Sequence, residues 1–230
     1  MSHVTLKSKE GKEFKAYYAK GPSASARGIV LIQEIFGINQ AMRELADQWA
    51  AKGYHVICPD LFWRQEAGLE LDPTDEKQFA RGYELMQGMK GDETMADLES
   101  ARAWLAQESG HDKIAAIGYC MGGMLSVKAA CETPVKCAVS YYGVNLDTLL
   151  ENAPANCAPM LLHVAGKDRF VPPEAREKVI QLAAAHAQVT AHVYEHCDHA
   201  FSRPGGQHYD AQAAKQAEER SHTFLAQHLA

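Results

Sequence analysis

Apolar positions along the chain come in short continuous runs separated by amphipathic stretches. GIVLIQ (28–33) is such a run, and its length and continuity predict a strand buried on both faces. Tyr54–Cys58, Lys113–Tyr119, Cys137–Tyr142, Met160–Ala165 and Val189–Glu195 read as further strands, and residues 3–8 and 13–20 as a hairpin turning at Gly11-Lys12. Between them lie helical patterns. Asn39 is placed to cap a helix from Gln40 to Lys52 that Gly53 ends. Asp72-Pro73 reads as the start of a helix running to about Met89. Another runs from near Asp92 to Gly110, with Met95, Leu98 and Leu105 on one face. Met121–Cys131, Pro173–His186 and His208–His228 complete the helices, and 61–73 and 152–159 read as loops.

Strand and helix alternate throughout, so the expected class is α/β, with a mainly parallel central sheet covered by helices on both faces. No repeat, low-complexity tract or Pro/Gly/Ser-rich linker divides the 230 residues, and a single domain over 1–230 is expected.

The net charge of −6 disfavours nucleic acid as a partner, although a few local arginines still suffice for a small anionic substrate. The opening MSHVTLKSKEGKEF lacks the apolar segment of a signal peptide, and no stretch approaches the roughly 20 apolar residues of a membrane span. A cytoplasmic protein without membrane partners is therefore expected. Its six cysteines (58, 120, 131, 137, 157, 197) form no CxxC pair, so reduced thiols are expected, five of them filling interior space.

Cys120 stands apart. Residues 118–123 read GYCMGG, the G-x-S-x-G nucleophile elbow with cysteine in place of serine. The turn from strand into helix is sharp, and side chains two positions either side of the nucleophile would collide with neighbouring backbone. At the helix N-terminus, exposed N–H groups favour a thiolate, and the N–H of Met121 is the candidate oxyanion donor. The bland alternative is a buried structural cysteine at a glycine-rich packing point.

The elbow's partners follow in the order acid, then histidine. The strand MLLHVA leads into Gly166-Lys167-Asp168, and VTAHVYE into His196-Cys197-Asp198-His199. Strand C-terminal ends are where open parallel sheets place their sites. Asp168 is the candidate orienting acid and His199 the candidate base. His196 and His192 compete for the second role, though alternation puts both on a strand face. Asp198 competes for the first, although a neighbour of the histidine rarely folds back to its ring. Asp168 could equally be a plain turn residue.

Glu34 directly follows a buried strand, where a carboxylate is costly unless paired or protonated. It reads either as a pocket residue beside the Cys120 thiol, or as a loop residue facing solvent or paired with an arginine such as Arg43. The loop after this strand also supplies a second oxyanion N–H, which points to Ile35.

QEIFGIN (33–39), CPDL (58–61), RQEAGLELDPTDE (64–76), GYCMGG (118–123), YYGV (141–144), KDRFVP (167–172) and DHAFSR (198–203) together resemble the dienelactone hydrolases, or carboxymethylenebutenolidases, over almost the whole chain. The resemblance implies the α/β-hydrolase fold and opening of the enol-lactone ring of dienelactone to maleylacetate. It implies no metal and no organic cofactor. It maps a catalytic triad onto Cys120, Asp168 and His199, and a glutamate that holds the resting thiol onto Glu34. Arg203 matches an arginine that binds the substrate carboxylate, and Tyr83 a pocket tyrosine. With Phe36 and Arg81 they make the expected substrate-binding set. The chain departs from the family pattern at Phe79, where a second carboxylate-binding arginine falls, and at Met86, where a tryptophan falls. Arg81 lies two residues beyond Phe79, on a different helix face.

The expected partner is a small, anionic lactone or ester, acted on by a monomer or weak homodimer. A broader carboxylesterase is the alternative within the family. A metal-binding or redox protein built on His196, Cys197, Asp198 and His199 is the alternative outside it, although neighbours this close cannot all converge on one ion.

Overall fold

The computed structural model describes residues 2–230. The chain forms two compact units, one extending to Ile114 and the other covering Ala115–Ala230.

In the first unit, β1 (Ser2–Lys7) and β2 (Glu13–Ala19) make the expected hairpin, in register from Ser2↔Tyr18 to Lys7↔Glu13. Strand β3 (Arg27–Ile32) leads to helix α1 (Gln40–Ala51), then β4 (Tyr54–Pro59), α2 (Glu76–Gln87) and α3 (Gly91–Ser109). The strands lie in the order β1-β2-β4-β3. The hairpin joins β4 antiparallel, and β3 and β4 run parallel. Asn39 caps α1 by accepting from the Met42 N–H at 3.2 Å. On α3, Met95, Leu98 and Leu105 are buried.

Helix α2 does not begin at Asp72-Pro73. Asp72 accepts from the N–H and the hydroxyl of Thr74 (2.8 and 2.7 Å), closing a turn across Pro73. Asp75 caps the helix instead, its carboxylate taking the N–H groups of Lys77 and Gln78 at 2.9 and 3.0 Å. Of two aspartates with capping chemistry, the downstream one is used.

Strand β5 (Ile114–Tyr119) leads into the second unit, where α4 (Met121–Glu132), β6 (Ala138–Tyr141), α5 (Leu146–Glu151), β7 (Met160–Ala165), α6 (Pro173–Ala185), β8 (Val189–Tyr194) and α7 (Ala211–His228) follow. Strands β5, β6, β7 and β8 lie in sequence order and all pair parallel. All residues of β5, β6 and β7 are buried, as continuous apolar runs demand of parallel strands. The six-residue α5 was not expected, and α7 starts at Ala211, capped by Asp210, rather than at His208.

A polar cluster sits inside this unit. The His163 ring bonds to Tyr194 Oη (2.9 Å) and Ser221 Oγ (2.8 Å), and Tyr141 Oη bonds to the same Ser221 Oγ at 2.8 Å. Burial, aided by the charges of His192 and Arg220, drives the His163 pKa well down, so the ring is neutral.

The expectation of six reduced thiols is corrected. Cys131, near the end of α4, and Cys157, in the loop before β7, form a disulfide with Cα atoms 4.2 Å apart. The Ala158 N–H donates to the Ala130 carbonyl at 2.8 Å, bringing loop and helix end together. Cys58, Cys120, Cys137 and Cys197 are free. Among the described residues, no helix is long and apolar enough to cross a membrane.

Candidate active site

The turn from β5 into α4 puts Cys120 at φ 56°, ψ −118°, a strained conformation for a residue with a side chain. Gly118 makes it feasible, because a Cβ there would run into the Gly122 carbonyl. The Cys120 N–H donates to the Tyr141 carbonyl at 3.0 Å, tying the turn to the end of β6. Cys120 is half-buried and immediately precedes the first turn of α4, and Met121 behind it is fully buried.

Asp168 and His199 follow β7 and β8, and both are buried. His199 Nδ1 lies 2.8 Å from Asp168 Oδ2. The other carboxylate oxygen accepts from the Phe170 N–H at 2.9 Å, which fixes the rotamer that aims Oδ2 at the ring. His199 Nε2 is buried without a hydrogen bond of good geometry among the described residues, and Cys120 acts on it at close range. Burial alone would strip the imidazolium of its proton. The Cys120 charge and the bond to Asp168 outweigh burial and push the His199 pKa up to about 10.

Two aromatic rings that sequence reading assigned no role flank this imidazole edge-on: Phe170 at 4.8 Å and Tyr142 at 5.0 Å between centroids. Both lie in the KDRFVP and YYGV segments, so the signal was a position in a motif rather than a chemistry. The competing candidates lie elsewhere. His196 is exposed, and His192 stacks on His163 at 6.3 Å. Asp198 turns its carboxylate to backbone N–H groups and to Arg169 rather than to the His199 ring. The 196–199 side chains thus diverge, and among the described residues no group of three His, Cys, Asp or Glu could hold a metal ion. Arg203 is half-buried, in a turn where its N–H donates to the Ala200 carbonyl at 3.0 Å.

The remaining candidates belong to the first unit. Glu34, Ile35 and Phe36, just beyond β3, are all buried. Gln33 steadies the segment, donating to the Glu34 carbonyl (3.2 Å) and accepting from the Leu61 N–H (3.1 Å). Helix α2 presses on it at Gly82, where a Cβ would collide with the Ile35 carbonyl. Arg43 pairs with Glu70 at 2.7 Å. Phe79 packs against Phe36 with centroids 5.9 Å apart. Tyr83 is 48% exposed. The Arg81 guanidinium donates to Glu66 (2.9 Å) and Glu84 (2.6 Å), so a substrate carboxylate would compete there with two glutamates.

Known proteins are similar to this chain in sequence and in fold. The chain is 40% identical to a putative carboxymethylenebutenolidase of Azospirillum brasilense over the full length of both. It is 38% identical to the carboxymethylenebutenolidase of Pseudomonas putida, over 97% of this chain and 95% of that one. The crystal structure of a putative dienelactone hydrolase from Klebsiella pneumoniae superposes with a TM-score of 0.83 at 27% identity, covering 99% of this chain and 100% of that one, and the fold is that of the α/β hydrolases. The model of the dienelactone hydrolase family matches residues 14–229, and the chain belongs to that family of hydrolases acting on ester and lactone bonds.

Proposed function

We propose that this protein opens an activated lactone, with dienelactone to maleylacetate as the reaction, using Cys120 as nucleophile, His199 as proton carrier and Asp168 as the acid that orients it. The observation that carries the reading is the 2.8 Å bond between Asp168 and His199 in the same unit as a cysteine held at a strained elbow.

The Cys120 thiolate attacks the lactone carbonyl carbon, and the carbonyl electrons move to oxygen. The N–H groups of Met121 and Ile35 receive that oxyanion. Its collapse breaks the ring C–O bond, and the departing enolate takes a proton from the His199 imidazolium and relaxes to the ketone. A thioester remains. His199, now neutral, removes a proton from water, and the hydroxide adds to the thioester carbonyl. Collapse expels the thiolate and leaves a carboxylic acid, which loses its proton to solvent, while His199 keeps the proton taken from water. An enolate leaves far more readily than an ordinary alkoxide, which suits a sulfur nucleophile. Asp168 keeps Nδ1 protonated and Nε2 aimed at the chemistry. Glu34 holds the Cys120 sulfur at rest until substrate displaces it. Arg203 takes the substrate carboxylate, with Phe36, Tyr83 and Arg81 at the pocket. The reaction needs no cofactor, and we place it in the cytoplasm on a small anionic substrate.

A second reading, a broader carboxylesterase of the same family, is favoured by two observations: Arg81 is paired with Glu66 and Glu84, and Phe79 packs against Phe36. Turnover of dienelactones against neutral aryl esters separates the two. The Cys120→Ala variant tests both: turnover should fall on the order of 10⁴-fold or more, and wild-type protein quenched during turnover should carry the acyl mass on the Cys120 peptide. Near-normal turnover by Cys120→Ala would end this reading.

A further inference from the structure

The loops carrying Asp168 and His199 are zipped together beyond the ends of their strands. β7 and β8 pair as far as Ala165↔Tyr194. The ladder then continues through the Gly166 N–H to the Tyr194 carbonyl (2.9 Å) and the Lys167 N–H to the Cys197 carbonyl (2.8 Å). One residue further on, where the two functional side chains project, a side chain takes over from the backbone. Asp198 Oδ1 accepts from the Arg169 N–H at 3.2 Å and from the His199 N–H at 2.6 Å. Asp198 Oδ2 lies 3.1 Å from the Arg169 guanidinium, which also contacts the His208 ring.

We infer that Asp198 is a positioning residue: its carboxylate ties the backbone next to Asp168 to the backbone of His199 and so holds the acid and the base in register. This rests on the triad reading above. Asp198 does not itself serve as the acid, since its oxygens face main-chain N–H groups and Arg169, while the His199 ring nitrogen is taken by Asp168. Burial favours the neutral carboxyl, but the His199 N–H and then Arg169 pull the other way, and the pKa lies below the ordinary carboxylate value. Asp198 is therefore ionised at neutral pH and acts as an acceptor. Register matters because a misplacement on the order of 1 Å can cost about 10²-fold in rate.

The test compares Asp198→Ala, Asp198→Asn and Asp198→Ser with Cys120→Ala and Asp168→Asn, on one chromogenic ester. The readouts are kcat per titrated Cys120 thiol, KM, and the pH limb that reports His199. Asn retains the acceptor oxygen and should keep kcat within about threefold. Ala removes it and should lower kcat on the order of 10²-fold with KM changed less than twofold, and should move the His199 limb toward lower pH. Ser, too short to reach the Arg169 N–H, should show the same loss and replaces Ala as the decisive variant if Ala does not fold. Wild-type kcat and pH profile in the Ala or Ser variant, with Cys120→Ala and Asp168→Asn inactive, overturns the clamp and leaves the triad reading standing. Equal loss in Asn and Ala with an unmoved pH limb also overturns it, because charge or general stability would then be the cause. An active Cys120→Ala removes the triad reading itself, and the clamp with it.

Discussion

Asp168 Oδ2 and His199 Nδ1 meet at 2.8 Å across 31 positions of sequence, both side chains almost wholly withdrawn from solvent. A buried carboxylate in this position fixes the histidine tautomer as well as its orientation. Asp168→Asn should preserve the fold but lower kcat by about 10³- to 10⁴-fold, since an amide permits the wrong tautomer. Steady-state kinetics beside a circular dichroism spectrum checks this. A loss of less than tenfold would show that the contact is only architectural.

The raised His199 pKa has a signed consequence for stability. The group binds its proton more tightly folded than unfolded, so its contribution is complete below the ordinary value of 6.5 and is lost as pH climbs toward about 10. Urea midpoints of wild-type protein should therefore fall across that window more than those of His199→Ala. The kcat/KM profile should decline above about pH 10 as the imidazolium is lost. Parallel stability curves for the two proteins would contradict the assignment.

Arg203 and Arg81 should behave differently. Losing a charge-assisted contact of about 1.5–3 kcal/mol, Arg203→Ala should raise KM for an anionic lactone more than tenfold and leave a neutral ester little changed. Arg81 is engaged by two exposed glutamates, and solvent screens such surface pairs so that they contribute little. Arg81→Ala should alter KM less than about threefold. The reverse ranking would assign the carboxylate to Arg81.

Removing the Cys131–Cys157 bond should weaken the fold without touching the chemistry. A loop with a sequence separation of 26 corresponds to about 3.5 kcal/mol of chain entropy. Cys131 lies roughly 16 Å along α4 from Cys120 at the usual rise per residue. Cys157→Ser should lower the denaturant midpoint while kcat per titrated Cys120 stays constant. A matching fall in kcat would link the far end of the helix to the nucleophile.

Gly82→Ala places a methyl group where the Ile35 carbonyl lies. Overpacking of this kind costs about 1–3 kcal/mol. If Ile35 supplies an oxyanion N–H, kcat should fall more than KM rises. Thermal denaturation and kinetics on the same sample separate the two effects, and unchanged kcat in a destabilised variant would remove Ile35 from the proposed mechanism.

Much of this architecture could be read in the chain because its signals are local. GIVLIQ, KIAAIGY and MLLHVA are continuous apolar runs, and each is a buried strand. Asn39 is a cap wherever a helix follows it. Where two local signals competed, as at Asp72 and Asp75, spacing alone did not choose between them. The nature of the contacts set the limit elsewhere. Cys131 and Cys157 carry no motif, and the bond between Ala158 and Ala130, which draws loop and helix end together, is visible only in the fold. The order of Cys120, Asp168 and His199 pointed to the ends of β5, β7 and β8, where they stand. In the sequence Asp198 reads as a rival acid or as part of a metal-binding or redox cluster, because its use of main-chain N–H groups depends on two loops whose relative height no sequence displays.

Ser221 carries a consequence for how the polypeptide is made. It is the shared partner of Tyr141 and His163, and it is translated 80 and 58 positions after them. Until α7 leaves the ribosome, an imidazole and a phenol inside the second unit lack the hydroxyl that satisfies them. A nascent chain stopped short of this serine would keep those groups in contact with water and hold its newest strands open. Completion of this half of the molecule is thereby deferred until α7 has been made.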